Sequence, residues 1–379
     1  MSINPRIAAL KELGTSVWLD DLSTDLLESG AVDDFINETG VVGLTTNPSI
    51  FEKSITTSST YDATIAKCAA AGENASEATF SLICKDVDEA CEKFLPVWEA
   101  SGGVDGRVSI EVEPGFAHDT ANTVEQARAL WKRLDRPNLL IKVPATAAGI
   151  PAIKQLISEG ISVNATLIFS VECYEAVMNA YIEGLREAKD KGLDISKIVS
   201  VASVFVSRLD GVVDKQLTEV GTEEALALRG KAGIANSRLA YDVFVKAHAE
   251  GGKLEDLAAA GGHPQRLLWA STSVKNPDYP DTLYVVELAG PDTVNTIPQK
   301  TLKAMADHGE VKGDTLTGTG EEAAAVWQAI KNQGIDLNAV VQMLEDQGVA
   351  CVYRIVEEPG GFRRIPYEGR LKGNGLVSS

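Results

Sequence analysis

The chain has 379 residues, 44% of them hydrophobic, which is enough to form a large buried core. Its 35 basic and 54 acidic residues give a formal net charge of −19. A surface this acidic argues against nucleic acid or an anionic membrane as the main partner. The N-terminus lacks the apolar core of a signal peptide, and no run approaches the roughly 20 apolar residues that span a bilayer.

Cysteines and histidines are too few and too dispersed to predict a disulfide framework or a metal site. The five cysteines form no CxxC pair and are odd in number, which is typical of a protein in the reducing cytoplasm. The four histidines form no His-x-x-x-His motif. We therefore expect a cytoplasmic protein that binds no metal.

Eight short runs rich in Val, Ile and Leu recur along the chain, and longer segments with helical periodicity separate them. The runs cover 16–22, 41–48, 108–114, 138–146, 162–170, 199–208, 266–273 and 283–288. This alternation is typical of a parallel α/β fold, and eight repeats predict a single (β/α)8 TIM barrel with extra helices. The long segment 209–265 is expected to hold two or more outer helices. An open, doubly wound sheet is the alternative, although the glycine-rich phosphate loops of its nucleotide-binding forms are missing.

The barrel is expected to form one catalytic domain over residues 1–350. The remaining segment, 351–379, is rich in glycine and charged residues and lacks a helical pattern. We predict an irregular C-terminal tail there.

On each of the first five predicted strands, one face is apolar and the other carries a polar group. On the fifth strand, for example, Val163, Ala165 and Leu167 share the apolar face, whereas Asn164 and Thr166 share the other. In a barrel the second face points inward, and catalytic residues lie at the C-terminal mouth. We therefore expect one group of polar side chains to meet there: Asp20, Asn47, Glu111, Lys142, Asn164 and Thr166.

Lys142 lies within the apolar string LLIKVP. Burial of an ammonium group is costly unless the charge is paired or neutralised, and desolvation lowers the pKa of such a group. A neutral amine is the form that attacks a ketone carbonyl to give a Schiff base. The alternative is a lysine at the end of a strand that extends into solvent. The spacing alone does not separate the two interpretations.

Two carboxylates and three smaller polar residues accompany this lysine. Asp20 and Glu111 are candidates for proton transfer, which both imine formation and carbon–carbon cleavage require. Either could instead form an ion pair or cap the next helix. Asn47, Asn164 and Thr166 could bind substrate hydroxyls, although Asn47 precedes a proline and could be a turn residue.

Three residues after the sixth and seventh strands could bind a phosphate group: Ser203, Arg208 and Lys275. Arginine presents a planar set of donors that suits phosphate oxygens, and phosphate sites near the late strands recur in barrels. Alternatively, Arg208 could pair with Asp210, two residues further along the chain.

Six segments, in this order, resemble the strand-end motifs of the transaldolase family. They are GLTTNPSIF (43–51), SIEVEP (109–114), LLIKVPATAAGI (139–150), SVNATLIFS (162–170), VASVFVSRLDG (201–211) and LLWASTSVKNP (267–277). The resemblance implies an enzyme that needs neither a metal nor an organic cofactor. It also implies that sugar phosphates are the substrates, and a homo-oligomer is compatible with it.

The resemblance assigns a role to each matching position. Lys142 would form the imine, and Asp20 would deprotonate the hydroxyl during carbon–carbon cleavage. Glu111 would act through a water in imine formation and hydrolysis, with Thr166 helping to hold that water. The reaction would transfer a dihydroxyacetone unit from sedoheptulose 7-phosphate to glyceraldehyde 3-phosphate. The products would be erythrose 4-phosphate and fructose 6-phosphate, within the pentose phosphate pathway.

The same resemblance places the remaining substrate contacts. Asn47 and Asn164 would hold hydroxyls of the dihydroxyacetone unit. Ser203 and Arg208 would bind the phosphate, with Phe205 shaping the pocket.

The chain departs from the family pattern in two places. Lys275 stands where many members carry a second phosphate-binding arginine, and a lysine offers a point charge in place of a two-pronged donor. Family members also usually end in an amphipathic helix near the mouth, whereas 351–379 has no helical pattern.

Three other functions are compatible with parts of the pattern. A Schiff-base aldolase would release free dihydroxyacetone, and it differs from a transferase in how well the site excludes water. A non-covalent isomerase would use Glu111 as its base. A non-catalytic barrel would only bind sugar phosphates.

Overall fold

The structure, a computed structural model, describes residues 3–46, 51, 54–55 and 57–349, and further on two short strands. Eight parallel strands form a closed barrel in which each strand pairs with the next and β8 pairs with β1. They are β1 Thr15–Leu19, β2 Gly43–Thr45, β3 Arg107–Glu111, β4 Leu139–Pro144, β5 Val163–Ile168, β6 Ser200–Phe205, β7 Arg266–Ala270 and β8 Thr293–Ile297. The predicted (β/α)8 barrel is confirmed, and the alternative prediction of an open, doubly wound sheet is wrong.

Helices surround the barrel and connect its strands. Those described are Pro5–Glu12, Thr24–Glu28, Ala31–Asp34, Asp62–Ala70, Ala75–Ala100, Thr120–Leu134, Gly149–Ser158, Val171–Asp190, Ser207–Val220, Glu223–Leu226, Ala232–His248, Glu255–Ala259, Leu283–Val286, Gln299–His308, Gly320–Asn332 and Leu337–Val349. Four of these lie between β6 and β7, which confirms the helices expected over 209–265. The longest begins with a capping box, in which Asn74 and Glu77 satisfy each other's main-chain N–H groups.

The predicted eighth strand at 283–288 was wrong. Leu283–Val286 forms a short helix, and β8 follows it at Thr293–Ile297. A short apolar run shows no periodicity that separates a buried strand from a buried helical turn. The true strand, TVNTI, was overlooked because three of its five residues are polar.

The two faces of the strands pack as the alternation predicts. Outward residues such as Val17, Ile110 and Ile141 are completely or almost completely buried beneath the surrounding helices. Burying each such side chain contributes roughly 1.5–3 kcal/mol. Apolar side chains also form a layer inside the barrel: Trp18, Leu140, Val201, Leu268 and Val294.

A buried ion pair fills the barrel interior on the N-terminal side of this apolar layer. Arg266 Nη2 lies 3.1 Å from Asp105 Oδ1, and Arg266 Nη1 donates to Ser16 Oγ at 2.9 Å. A buried charge needs partners of this kind. Charged groups thus occupy both ends of the interior, and those at the C-terminal mouth line a cavity.

Leu167 departs from the expected alternation. The register of β5 with β6 shifts between Ala165 and Ile168, and Leu167 adopts a φ of 62°. An extra residue at such a bulge turns the following side chain to the other face. Leu167 therefore lies with the inner cluster, and its expected place on the outer face with Val163 was wrong.

A helix reaches the mouth immediately before the predicted tail. This helix, Leu337–Val349, is called the closing helix below, and it packs against β5 and the helix Ser207–Val220. Most of the segment 351–379 lies outside the described residues. Within it, Val356–Glu358 pairs in antiparallel fashion with Gly361–Arg363. The domain boundary at residue 350 stays a prediction.

The helices and the cysteines of the described residues give two further findings. None of the helices in the described ranges combines the length and the apolar character that crossing a bilayer requires. Four cysteines in those ranges are free thiols: Cys68, Cys84, Cys91 and Cys173. The cytoplasmic location stays a prediction.

Candidate active site

A cavity of about 420 Å³ opens at the C-terminal mouth of the barrel. Every strand, or the residue directly after it, contributes to its wall. The residues that line it are Asp20, Thr45, Glu111, Lys142, Thr166, Leu167, Ser203, Phe205, Arg208, Ala270, Ser271, Ser273, Lys275, Thr296, Pro298 and Gly348. Eight of the ten predicted site residues are in this set. Asn164 lies behind the wall, and Asn47 lies outside the described residues.

Lys142 and Glu111 form an ion pair at the base of the cavity. Their strands pair so that the two residues are directly opposite each other. Lys142 Nζ lies 3.0 Å from Glu111 Oε2, and it also donates to the main-chain oxygen of Thr46 at 3.3 Å. The two residues are only 9% and 8% exposed. Lys142 therefore points inward, and the solvent-exposed alternative is wrong.

Asp20 stands at the other side of the cavity, directly after β1. Thr45 Oγ1 donates to Asp20 Oδ1 at 3.1 Å and lies 2.6 Å from Thr296 Oγ1. Since Thr45 has a single hydroxyl proton, Thr296 donates to Thr45 in this chain of bonds. The next helix is capped by Ser23, whose side chain accepts from Leu26 N. Two threonines thus orient Asp20. The helix-capping role that was considered for Asp20 belongs to Ser23.

The fifth strand contributes one buried hydroxyl and one amide. Thr166 Oγ1 is buried and has no hydrogen-bond partner within the described part of the chain. Asn164 Oδ1 accepts from Ser203 Oγ at 2.7 Å, and its Nδ2 donates to Ser109 Oγ at 3.1 Å. Asn164 is fully buried, so in this structure it orients Ser203. A direct contact between Asn164 and a substrate stays a prediction.

Arg208 stands at the outer part of the cavity as an exposed cation. Its guanidinium carbon lies 5.2 Å from the centroid of the Phe205 ring, a cation–π contact that leaves its edge donors available. The alternative partner, Asp210, is buried and accepts from Tyr284 and from the main chain of Gly233. Burial raises the pKa of Asp210 to about 6. The pairing of Arg208 with Asp210 is therefore wrong.

Lys275 faces the same part of the cavity from the segment after β7, where it is exposed. This segment starts with Ser271, whose φ is 56°. Ser207 N donates to Ser271 O at 3.0 Å, and the two hydroxyls lie 2.9 Å apart. Leu167, across the mouth, also has a positive φ. Positive φ angles at residues other than glycine store strain that only the surrounding fold can hold, and such strain concentrates at functional sites.

Comparisons with known proteins agree with this geometry. A family model described as Transaldolase/Fructose-6-phosphate aldolase matches residues 17–354. The chain belongs to this family.

Individual members of the transaldolase/fructose-6-phosphate aldolase family are similar in sequence to this chain. The transaldolase of Mycobacterium tuberculosis (strain CDC 1551 / Oshkosh) is 53% identical over 346 residues, which cover 91% of this chain and 93% of that relative. The transaldolase of Mycolicibacterium smegmatis (strain ATCC 700084 / mc(2)155) is 54% identical over 349 residues, which cover 92% and 94%. The expected resemblance to the transaldolase family is thereby confirmed.

Several residues of this family member's cavity were not singled out from the sequence. Thr296 was missed because β8 was placed elsewhere. Gly348 belongs to the closing helix, Leu337–Val349. The resemblance leads one to expect a terminal helix near the mouth, but that helix was sought in 351–379 and lies just before this segment. A Cβ atom at Gly348 would lie 2.9 Å from Leu167 Cδ2, so the lack of a side chain lets the two elements approach. Ser271 and Ser273 follow β7 in the string ASTS. This polar run directly after a strand could have indicated that the two serines lie at the mouth.

Proposed function

We propose that this family member is a transaldolase of the pentose phosphate pathway. It transfers a dihydroxyacetone unit from sedoheptulose 7-phosphate to glyceraldehyde 3-phosphate and yields erythrose 4-phosphate and fructose 6-phosphate. The observation that carries the proposal is the buried pair of Lys142 and Glu111, whose charged atoms are 3.0 Å apart at the base of the cavity. The names of its relatives support the same activity.

Imine formation is assigned to Lys142. Glu111 accepts a proton from the ammonium group, directly or through a water, and the free amine attacks the ketone carbon of the donor. The carbinolamine then loses its hydroxyl as water, for which Glu111 returns a proton. Thr166, whose buried hydroxyl faces this part of the cavity, holds that water.

Carbon–carbon cleavage is assigned to Asp20. Its carboxylate takes the proton of the hydroxyl on the carbon that becomes the aldehyde, the bond from this carbon to the dihydroxyacetone unit breaks, and the aldehyde leaves. The electron pair of the broken bond moves into the iminium on Lys142 and gives an enamine. The enamine attacks the acceptor aldehyde, Asp20 returns the proton, and hydrolysis releases the ketose. The hydrogen bond from Thr45 keeps one oxygen of Asp20 fixed while the other exchanges the proton.

Phosphate binding is assigned to the outer part of the cavity. Arg208 and Lys275 supply positive charge on a chain whose net charge is −19. Ser203 is proposed to turn its hydroxyl proton from Asn164 Oδ1 to a phosphate oxygen. A local cluster of cations is what an otherwise acidic surface needs to bind an anionic substrate. Asn47 is proposed to hold a hydroxyl of the dihydroxyacetone unit.

The family name also covers aldolases, so the fate of the dihydroxyacetone unit is the decisive property. With fructose 6-phosphate alone, we expect free dihydroxyacetone to appear at least about tenfold more slowly than the unit is transferred when erythrose 4-phosphate is added, because the buried site limits the access of water to the enamine. Chromatography of the products over time measures both rates. Equal rates of cleavage with and without the acceptor would identify an aldolase.

A further inference from the structure

Two aspartates connect the helix after β6 to the segment after β7. Asp210 and Asp214 are four residues apart on the helix Ser207–Val220, so they lie on the same face. Tyr284 donates to Asp210 Oδ2 at 2.7 Å, and Tyr279 donates to Asp214 Oδ2 at 2.6 Å. These two aspartate–tyrosine pairs are called the tyrosine clamp below.

The second oxygen of each carboxylate is also occupied. Gly233 N donates to Asp210 Oδ1 at 2.7 Å, and Gly230 N donates to Asp214 Oδ1 at 2.8 Å. A carboxylate held on both oxygens cannot rotate without leaving a donor unpaired, which is costly in a buried place. Gly230 has a φ of 72°, and a Cβ there would lie 2.9 Å from Tyr279 Cζ. The backbone at Gly230 therefore packs directly against the ring of Tyr279 and limits the movement of that ring.

The clamp joins the two segments that carry the cations of the cavity. Arg208 is the second residue of the helix, and Lys275 lies four residues before Tyr279. Both cations are exposed at the ends of long side chains, and the backbone that carries them limits the range of separations their charged groups can reach. The main-chain bond from Ser207 to Ser271 joins the two segments at the mouth. The clamp joins them again further out, so that the stretch containing Lys275 is held on both sides.

We propose that the tyrosine clamp positions Lys275 relative to Arg208 and thereby sets the affinity of the cavity for a phosphate group. The proposal rests on the proposed function in that the substrate is taken to be a sugar phosphate. None of the clamp residues is part of the described cavity wall, so they act through the two cations. Charge-assisted hydrogen bonds to phosphate depend on donor geometry, and a displaced lysine would lose part of this interaction.

Tyr279→Phe and Tyr284→Phe test the clamp, since each removes one hydroxyl and keeps the ring. Kinetics are compared for fructose 6-phosphate and for fructose, with unphosphorylated glyceraldehyde as the acceptor, so that only the donor carries phosphate. For fructose 6-phosphate we expect KM to rise about threefold to tenfold in each variant, while kcat stays within about twofold of wild type. The value of kcat/KM for fructose should stay at the wild-type level.

Tyr181→Phe is the matched control. Tyr181 is fully buried on the outer helix Val171–Asp190, and its hydroxyl donates to His263 O at 2.8 Å. The variant therefore loses a comparable hydrogen bond away from the cavity, and its KM should equal that of wild type. The clamp would be refuted if Tyr181→Phe raised KM as much, or if both donors lost the same fraction of kcat/KM in the clamp variants.

Calorimetric titration with inorganic phosphate separates the clamp from the proposed function. A wild-type protein without turnover would overturn the proposed function. The titration would still test the clamp, because phosphate binding does not require catalysis. We expect the Kd for phosphate to be about threefold to tenfold higher in Tyr279→Phe than in wild type. An unchanged Kd would overturn the clamp whatever the enzyme catalyses.

Discussion

Lys142→Arg is expected to lower kcat by at least about 10⁴-fold, because loss of the attacking group removes the covalent step on which all later steps depend. The guanidinium keeps a positive charge beside Glu111, so the buried carboxylate is not left unpaired. A guanidinium is not a nucleophile under these conditions, so the variant loses imine formation while it keeps the positive charge. The steady-state rate of glyceraldehyde 3-phosphate formation from fructose 6-phosphate and erythrose 4-phosphate measures the loss.

Lys154→Ala is the control for this change. Lys154 lies on the outer helix Gly149–Ser158, where it forms surface ion pairs of 3.0 Å with Glu183 and Glu187. Such pairs contribute little, so the rate should stay within about twofold of wild type. A folded Lys142→Arg protein that still forms glyceraldehyde 3-phosphate within about tenfold of the wild-type rate would contradict the covalent mechanism.

Asp20→Asn is expected to lower kcat by about 10²- to 10⁴-fold, the usual contribution of a general acid–base group. The asparagine oxygen can still accept the hydrogen bond from Thr45, so the geometry is kept while the proton acceptor is lost. Imine formation does not use Asp20, so the variant should still form the imine with fructose 6-phosphate and then stall before cleavage. Rapid-quench measurement of bound sugar, beside the turnover rate, reports both steps.

The neighbouring carboxylate serves as the control for Asp20. Asp21 accepts from Gln299 Nε2 at 2.6 Å and does not belong to the described cavity wall. Asp21→Asn changes the net charge equally and should leave turnover near the wild-type rate. If Asp20→Asn instead lost imine formation and turnover together, Asp20 would act before cleavage and the assigned order of steps would be wrong.

The part of the site that follows from alternation along strands could be predicted from the sequence. Side chains on a strand alternate with a period of two residues, and this rule placed Glu111, Lys142 and Thr166 inward. The barrel satisfies the rule on the first four strands, and on β5 as far as Thr166. Leu167 breaks the rule through a bulge. A bulge depends on pairing with β6, and the sequence of β5 alone does not contain that information.

Contacts between distant parts of the chain could not be predicted. Whether Lys142 pairs with a carboxylate or extends into solvent depends on its register with Glu111 on the neighbouring strand. Whether Arg208 is available depends on Tyr284, which lies 74 residues after Asp210 and occupies that carboxylate. Each of these was an open alternative in the sequence, and the folded arrangement decided it. Asn47 falls outside the described residues, so its role stays a prediction.

Borohydride reduction in the presence of fructose 6-phosphate, followed by mass mapping of the peptides, tests the covalent mechanism most directly. Reduction converts an imine into a stable secondary amine that keeps the sugar on the lysine that formed it. We expect a single modified peptide, with the added mass on Lys142, and no such adduct when the sugar is left out. An active enzyme that carries the adduct on a different lysine, or carries none, would contradict the mechanism.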